Sequence, residues 1–291
     1  MITVFTPTFN RAYIIGKLYS SLYNQTSNNF EWIIVDDGSS DNTREKITDW
    51  EANSPFPIRY FWQPNGGKHR AINRGVREAK GEVFFIVDSD DYLVPNAIEE
   101  IETHYKAIGD DGSIAGVILT RLFPDGKRIG GDVNFESLLS TVTNFRCNLG
   151  VKGDLAETVR TSVMKQFPFP DIPQEKFFPE AFLWYSIDKD HKFLFVNKGI
   201  YVTEYLPDGL TNRIKKILRE SPIASTMAYA VMVKGDKPFF FKLKNSISYW
   251  RYFMHSWGKV HPQRLSNSLL SISTFPLGFL LFLKDVILNK K

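Results

Sequence analysis

The 291-residue chain contains a single cysteine, Cys147. An internal disulfide framework is therefore excluded, and the composition fits a reducing compartment. It also lacks a P-loop, because Gly66-Gly67-Lys68 does not sit in the GxxxxGK[ST] spacing. No internal repeat and no low-complexity linker interrupts the sequence. Met1–Phe5 lacks the basic-then-apolar pattern of a leader peptide, so a cytoplasmic protein is expected. Net charge is small, +4, but unevenly spread. Residues 234–291 hold ten Lys/Arg against Asp236 and Asp285, a balance of +8 that leaves −4 for residues 1–233. A basic tail of this kind points to an anionic partner, either nucleic acid or a membrane surface.

The first 90 residues read as repeated strand–helix units. Ile2–Thr6 is a short apolar strand, and Asn10 is placed to cap a helix carrying Ile14, Ile15, Leu18, Leu22 and Tyr23 at helical spacing. Strands are predicted over Phe30–Val35, Ile58–Trp62 and Val83–Val87, with helices over Thr43–Trp50 and Lys68–Ala79. Uninterrupted apolar strands mean burial on both faces, hence a parallel sheet between helices. Beyond about residue 110 the short apolar runs Ile114–Leu119, Phe193–Val196 and Ile200–Val202 suggest a mixed or antiparallel second half, and residues 212–270 look mainly helical.

Every predicted strand of the first half ends in polar or acidic residues: Thr6-Pro7-Thr8, Asp36-Asp37, Asn65-Gly66-Gly67-Lys68 and Asp88-Ser89-Asp90-Asp91. Open parallel sheets bind ligands at that edge, so the four loops form one site if the four strands are parallel. Three carboxylates in the last loop repel one another unless cations compensate, and hard oxygen ligands suit Mg²⁺ or Mn²⁺. An acidic helix-capping loop before Tyr92-Leu93-Val94-Pro95 would look similar; placement directly after a buried strand favours the metal. Asp36-Asp37 could accept hydrogen bonds from a base or ribose, or merely cap. Asn65-Gly66-Gly67-Lys68-His69-Arg70 joins a flexible backbone to cations at a helix start, which favours phosphate.

Taken in order, Thr6-Pro7-Thr8-Phe9-Asn10-Arg11, Val35-Asp36-Asp37-Gly38-Ser39-Ser40-Asp41, Asn65-Gly66-Gly67-Lys68 and Val87-Asp88-Ser89-Asp90-Asp91 resemble the family 2 glycosyltransferases of the GT-A fold. The resemblance covers roughly residues 1–210 and is specific in the first 95. The fold expected is α/β: a Rossmann-like, mixed but mainly parallel sheet flanked by helices. The catalytic domain would span 1–211, with a nucleotide half to about 95 and an acceptor half from about 96, followed by a helical extension over 212–291. The resemblance implies inverting transfer of a sugar from a UDP-type donor to a glycan or lipid-linked acceptor, in surface-polysaccharide synthesis. It places Pro7, Thr8, Asn10 and Arg11 along the nucleotide pocket, Asp36 on the base, and Lys68 and Ser89 near the nucleotide. Asp88 would meet ribose and metal, and Asp90 the metal directly.

In that family the catalytic base usually lies in a Glu-Asp pair at a helix start. This chain has no Glu-Asp dipeptide. Glu180, after Pro179 and before an apolar run, stands where the pair should be, with Glu175 in reserve. Glu204–Thr211 resembles the approach to a mobile lid, and a plain turn reads the same way; Arg213 is a candidate lid cation. A sugar-nucleotide nucleotidyltransferase would need a Gly-rich, Arg-containing loop after the first strand, which is missing. A non-catalytic carbohydrate-binding relative remains the other alternative.

The tail mixes Phe239-Phe240-Phe241, Trp250, Tyr252, Phe253 and Trp257 with Lys242, Lys244 and Arg251. Leu269–Leu288 is almost long enough to span a bilayer, but Pro276 and Gly278 interrupt it and Lys284-Asp285 lies inside it. An interfacial helix at the inner face of the plasma membrane fits better than a spanning one, and a helix packed on the core is the alternative. Nucleic acid is not an expected partner.

Overall fold

The computed structural model describes residues 1–204, 210–257, 265 and 269–288. Two compact units emerge: Met1–Pro168 with Asp190–Leu206, and Phe169–Lys189 with Pro207–Lys291. Residues 169–189 belong with the C-terminal helices.

In chain order the elements are β1 (Ile2–Thr8), α1 (Gly16–Tyr23), β2 (Phe30–Asp36), α2 (Thr43–Asn53), β3 (Ile58–Trp62), α3 (Lys68–Glu78), β4 (Val83–Ile86), β5 (Tyr92–Leu93), α4 (Ala97–Ile108), β6 (Ile114–Leu122), β7 (Ser137–Ser140), β8 (Leu155–Arg160), α5 (Thr161–Met164), α6 (Ala181–Ile187), β9 (Lys192–Val202), α7 (Leu210–Glu220), α8 (Pro222–Val233), α9 (Phe239–His255) and α10 (Leu269–Leu288). A single π-helical turn, Asn144–Asn148, precedes β8.

Among the described residues the first unit is built on one nine-stranded sheet in the order β3-β2-β1-β4-β8-β6-β9-β5, with β7 paired to β9. β3, β2, β1 and β4 are mutually parallel. The condition for gathering the four strand-end loops on one edge is therefore met. β1, β2 and β4 are buried along their whole length, as their unbroken apolar runs require. β8 is antiparallel to both β4 and β6, so the second half is mixed. A stack of Tyr19 on Trp50, with ring centroids 4.3 Å apart, covers Trp32, whose indole N–H donates to Thr6 Oγ1 at 2.9 Å.

Three local expectations are corrected. β1 continues through Pro7 to Thr8; beyond Phe5 it pairs only with β2, so the missing proline N–H is tolerated there. Asn10 does not cap α1, which begins at Gly16 after Ile15; it adopts φ +53° and bonds to the next loop instead. The runs Phe193–Val196 and Ile200–Val202 form one strand, β9, because a register shift against β6 absorbs the residues between them.

The second unit is helical among its described residues. Ala230, Tyr249 and Leu265 form its small core, with Tyr229, Val233, Trp250 and Phe253 packed around them. The Tyr229 ring of α8 stacks on Tyr252 of α9, with centroids 5.5 Å apart. Residues 205–209, the middle of the expected lid approach, lie outside the described residues.

Candidate active site

The four loops at the C-terminal edge of β1 to β4 are tied into one assembly by short side chains. Asn10 is held from both sides: its amide N–H donates to Ser39 Oγ at 2.8 Å and its Oδ1 accepts from the Ser40 N–H at 2.8 Å. The Arg11 and Ala12 N–H groups donate to Thr43 Oγ1 and Asp41 Oδ2 at 3.2 and 3.0 Å. This binds the loop after β1 to the loop after β2.

Asp37 performs the same service toward the loop after β3. Its carboxylate accepts from Gln63 Nε2 at 2.7 Å, and from the Gly66 and Gly67 N–H groups at 3.0 and 2.6 Å. Two backbone donors and a carboxylate make a strong, directional clasp. Gly38 has φ +88°, and a side chain there would place Cβ 2.8 Å from the Asn65 nitrogen, so the close approach of the two loops requires glycine.

Asp36, the expected base reader, is fully buried. Its Oδ1 accepts from the Ser39 N–H at 2.8 Å and its Oδ2 from the Tyr60 hydroxyl at 2.6 Å. Burial and the Asp36 hydrogen bond and charge push the Tyr60 hydroxyl pKa up. Thr8 lies at the end of β1 with its Oγ1 buried and lacking a protein hydrogen-bond partner among the described residues. A buried hydroxyl left in that state is uncommon and marks a place for a ligand or water. Pro7 is buried beside it.

The acidic loop sorts its carboxylates by direction. Asp88 and Asp90 turn toward cations from other loops: Lys68 Nζ, on the first residue of α3, is 2.6 Å from Asp88 Oδ1, and Arg11 Nη2 is 3.9 Å from Asp90 Oδ2. Ser89 is buried between them. Asp91 turns inward to β6 and β9. Its Oδ2 accepts from the Tyr201 hydroxyl at 2.6 Å and lies 3.5 Å from Arg121 Nη1. The Tyr201 hydroxyl also accepts the Asp88 backbone N–H at 2.9 Å, and the Arg121 guanidinium lies over the Tyr201 ring at 4.0 Å.

The charges are tuned accordingly. Burial opposes ionisation of Asp88, but Lys68, Arg121 and Arg11 outweigh it and hold its carboxyl below the ordinary range. Burial and then the Asp88 charge push Asp90 up, against the pull of Arg11. Asp91 is raised by the same two causes, against the Tyr201 hydrogen bond and Arg121. Crowded carboxylates of this kind are the arrangement that a cation relieves.

The sequence-predicted residues Pro7, Thr8, Asn10, Arg11, Asp36, Lys68, Asp88, Ser89 and Asp90 all lie on these adjoining strand ends and loops. Glu180 belongs to the second unit, directly before α6, where the Leu183 N–H donates to its carbonyl at 2.9 Å. Glu175, in the same unit, is buried, and its carboxylate accepts the Ile223 and Ala224 N–H groups at 2.9 and 2.8 Å. It thereby caps α8. Sequence reasoning named Asp37 only as part of the Asp36-Asp37 loop, without its clasp on the loop after β3, and missed Arg121 and Tyr201. The available signal was thin: Arg121 is a cation at the end of an apolar run, and Tyr201 is one aromatic in a buried strand.

Known proteins resemble this chain. The model of the glycosyl transferase family 2 matches residues 3–155. Chondroitin synthase from Pasteurella multocida (strain Pm70) is 36% identical over 137 residues, 46% of this chain but only 14% of that much longer protein. The Escherichia coli UDP-Glc:alpha-D-GlcNAc-diphosphoundecaprenol beta-1,3-glucosyltransferase WfgD is 24% identical over 218 residues, covering 70% of this chain and 76% of that one. Among solved structures, S. aureus TarS 1–349 matches with TM-score 0.62 at 17% identity, over 97% of this chain and 80% of that chain. The mannosyltransferase PcManGT from Pyrobaculum calidifontis, in complex with GDP-Man and Mn²⁺, matches with TM-score 0.58 at 16% identity over the same shares. With four strand-end loops gathered on one edge and the family model matching more than half of the chain, the chain belongs to glycosyltransferase family 2.

Proposed function

We propose that the protein transfers a sugar from a UDP-type donor to a hydroxyl of a glycan or lipid-linked acceptor, by a metal-assisted, inverting single displacement in surface-polysaccharide synthesis. The observation that carries this reading is the pairing of Asp88 and Asp90 with Lys68 and Arg11 at the mouth of four parallel strands. The named relatives support it: WfgD is a glucosyltransferase with UDP-Glc in its name, and TarS 1–349 has been solved with UDP and with UDP-GlcNAc.

The residues fit Mg²⁺ or Mn²⁺. Among the described residues no group of three His, Cys, Asp or Glu side chains converges on a metal position. The protein therefore offers two hard carboxylates, Asp88 and Asp90, and leaves the other positions to donor phosphates and water, which is the usual arrangement for these ions. When bound, the ion supplies positive charge for the diphosphate leaving group.

The chain's own residues carry the remaining roles. Arg11 and Lys68 exchange their carboxylate partners for phosphate oxygens. The nucleotide half, to about residue 95, holds the donor through Pro7, Thr8, Asn10, Asp36 and Ser89, and the acceptor half extends to about 211. Glu180 takes the proton of the acceptor hydroxyl as its oxygen bonds to the anomeric carbon. The bond from that carbon to the diphosphate breaks, its electron pair leaves with UDP, and the configuration inverts. Use of the Glu175 carboxylate at the start of α8 supports giving the base role to Glu180. The enzyme works in the cytoplasm, peripherally at the inner face of the plasma membrane.

Purified protein offered a panel of UDP- and GDP-sugars with Mn²⁺ and oligosaccharide acceptors tests the reading. UDP release that needs a UDP-sugar and stops with chelator is expected. Activity undiminished by chelator overturns the metal assignment, and turnover only with GDP-sugars overturns the donor. Calorimetry on Asp36→Ala tests the base contact: UDP affinity should fall by about 1–3 kcal/mol.

A further inference from the structure

In water-soluble proteins a surface helix hides its apolar stripe and shows its polar one. α10 does the reverse. Its buried positions are small or polar, Ser271, Thr274, Gly278 and Asp285, with Phe275 and Phe282 set against Trp250 and His255 of α9. The opposite stripe is Leu269, Ile272, Pro276, Leu280, Leu283 and Ile287, at the three- and four-residue steps of one helix face, and every member is exposed. Leu269, Ile272, Leu280 and Ile287 are between 59% and 88% exposed.

The inner side is specifically bonded. The Trp250 indole N–H donates to the Ser271 carbonyl at 2.7 Å, and Ser246 and Thr274 hydroxyls meet at 2.7 Å. Asp285 accepts two hydrogen bonds of 2.6 Å from Arg251, with His255 at 3.2 Å and Arg219 at 3.6 Å. A Cβ on Gly278 would stand 2.4 Å from the Trp250 Cβ, so the two helices touch there through glycine. These contacts fix which side of α10 faces outward.

We infer that the outward stripe of α10 lies in the interfacial layer of an anionic lipid bilayer, parallel to its plane. The inference rests on the peripheral placement proposed above and assigns it a helix, a face and a lipid charge. Charge complementarity selects the partner: the tail from 234 carries a balance of +8. The flat orientation has two supports. Asp285 is tethered to α7 and α9, which are not apolar enough to follow it through hydrocarbon. Pro276 removes the N–H that the Ile272 carbonyl would accept, and an unpaired carbonyl is tolerated at the wet interface but costly in the bilayer core.

The full chain is floated with vesicles of phosphatidylcholine alone and of phosphatidylcholine with phosphatidylglycerol. Binding to the anionic vesicles is expected, weaker on the neutral ones. The double variant I272D/L280D, whose sites are exposed and whose folding is checked by thermal melting, should lose about tenfold or more of its vesicle partition. Lys284→Glu should lose binding on anionic vesicles only, and Leu149→Asp, an exposed apolar residue of the first unit, should lose none. Turnover on a soluble acceptor should be unchanged in every variant. If wild type and I272D/L280D float equally, the α10 assignment is overturned while peripheral attachment stands. If wild type does not float at all, both fall. If light scattering shows wild-type dimers that I272D/L280D separates, with no flotation, the stripe belongs to a second copy and the lipid assignment is overturned. Retention in native membranes after alkaline carbonate treatment overturns the flat orientation.

Discussion

The sheet of the first unit and the last helix of the second follow opposite rules of burial. In β1, β2 and β4 the apolar side chains are inside and the charged groups gather where the strands end. In α10 Ser271, Thr274 and Asp285 are inside and Leu269, Leu277, Leu280 and Leu283 are outside. Water decides the first pattern: apolar area leaves it at about 25 cal/mol per Å². The second pattern suits a surrounding that is not water, as the inference above requires. A buried polar group is thus a functional clue in both units, but of different kinds. Asp91 in the first unit ties the acidic loop to β6 and β9. Asp285 in the second clamps a helix so that its other face is free.

The largest expected effect belongs to the first unit. Asp90→Asn should take transfer to background while the circular dichroism spectrum is retained, since an amide is a poorer ligand for a hard cation. Wild-type turnover in this variant would remove the acidic edge from the chemistry and leave the two units distinguished by polarity alone.

Glu180→Gln comes next and cuts across the division, because Glu180 belongs to the helical unit. Loss of a general base should lower the rate by about 10²–10⁴-fold with UDP affinity little changed. Glu175→Gln, its neighbour in the same unit, should leave the rate nearly intact and lower the melting temperature, because one of the two backbone N–H bonds at α8 is weakened. Reversal of these two outcomes would place the base at Glu175.

Tyr201→Phe sharpens the account of the acidic loop. It removes the hydroxyl that joins the Asp88 N–H to the Asp91 carboxylate and leaves the ring under Arg121. Stability should fall by about 1–3 kcal/mol in urea unfolding. Mn²⁺ titration followed by electron paramagnetic resonance should show weaker binding, which a purely structural tyrosine would not alter.

The smallest effect on chemistry is expected from Gly278→Leu. Overpacking against Trp250 should destabilise the helical unit by about 1–3 kcal/mol. UDP affinity measured by calorimetry should be unchanged. A parallel loss of UDP binding would show that the helical unit also serves the nucleotide.

Much of the first unit was legible before folding. An uninterrupted run such as Trp32-Ile33-Ile34-Val35 has few alternatives to a buried strand, and Asp, Asn and Gly at its end mark the turn. Asn10 was misplaced because a local capping rule lost to a longer-range partner, the Ser40 N–H. β9 was read as two pieces because an Asn197-Lys198-Gly199 interruption looks like a turn unless the strand bulges there against β6. Arg121 and Tyr201 were invisible for the same reason: their role depends on β6 and β9 lying beside the loop after β4, more than a hundred residues away from Tyr201.

The sequence alone determined the order of strand and helix, the chemistry offered at each strand end, and the inventory of the tail, because periodicity and turn residues act over a few neighbours. Only the tertiary structure decided that Asp88 and Asp90 face cations while Asp91 faces the sheet, that Glu175 is spent on a helix start, and that α10 turns its polar side inward. Those choices rest on contacts between distant segments, and a contact has no trace in the chain until the partner arrives.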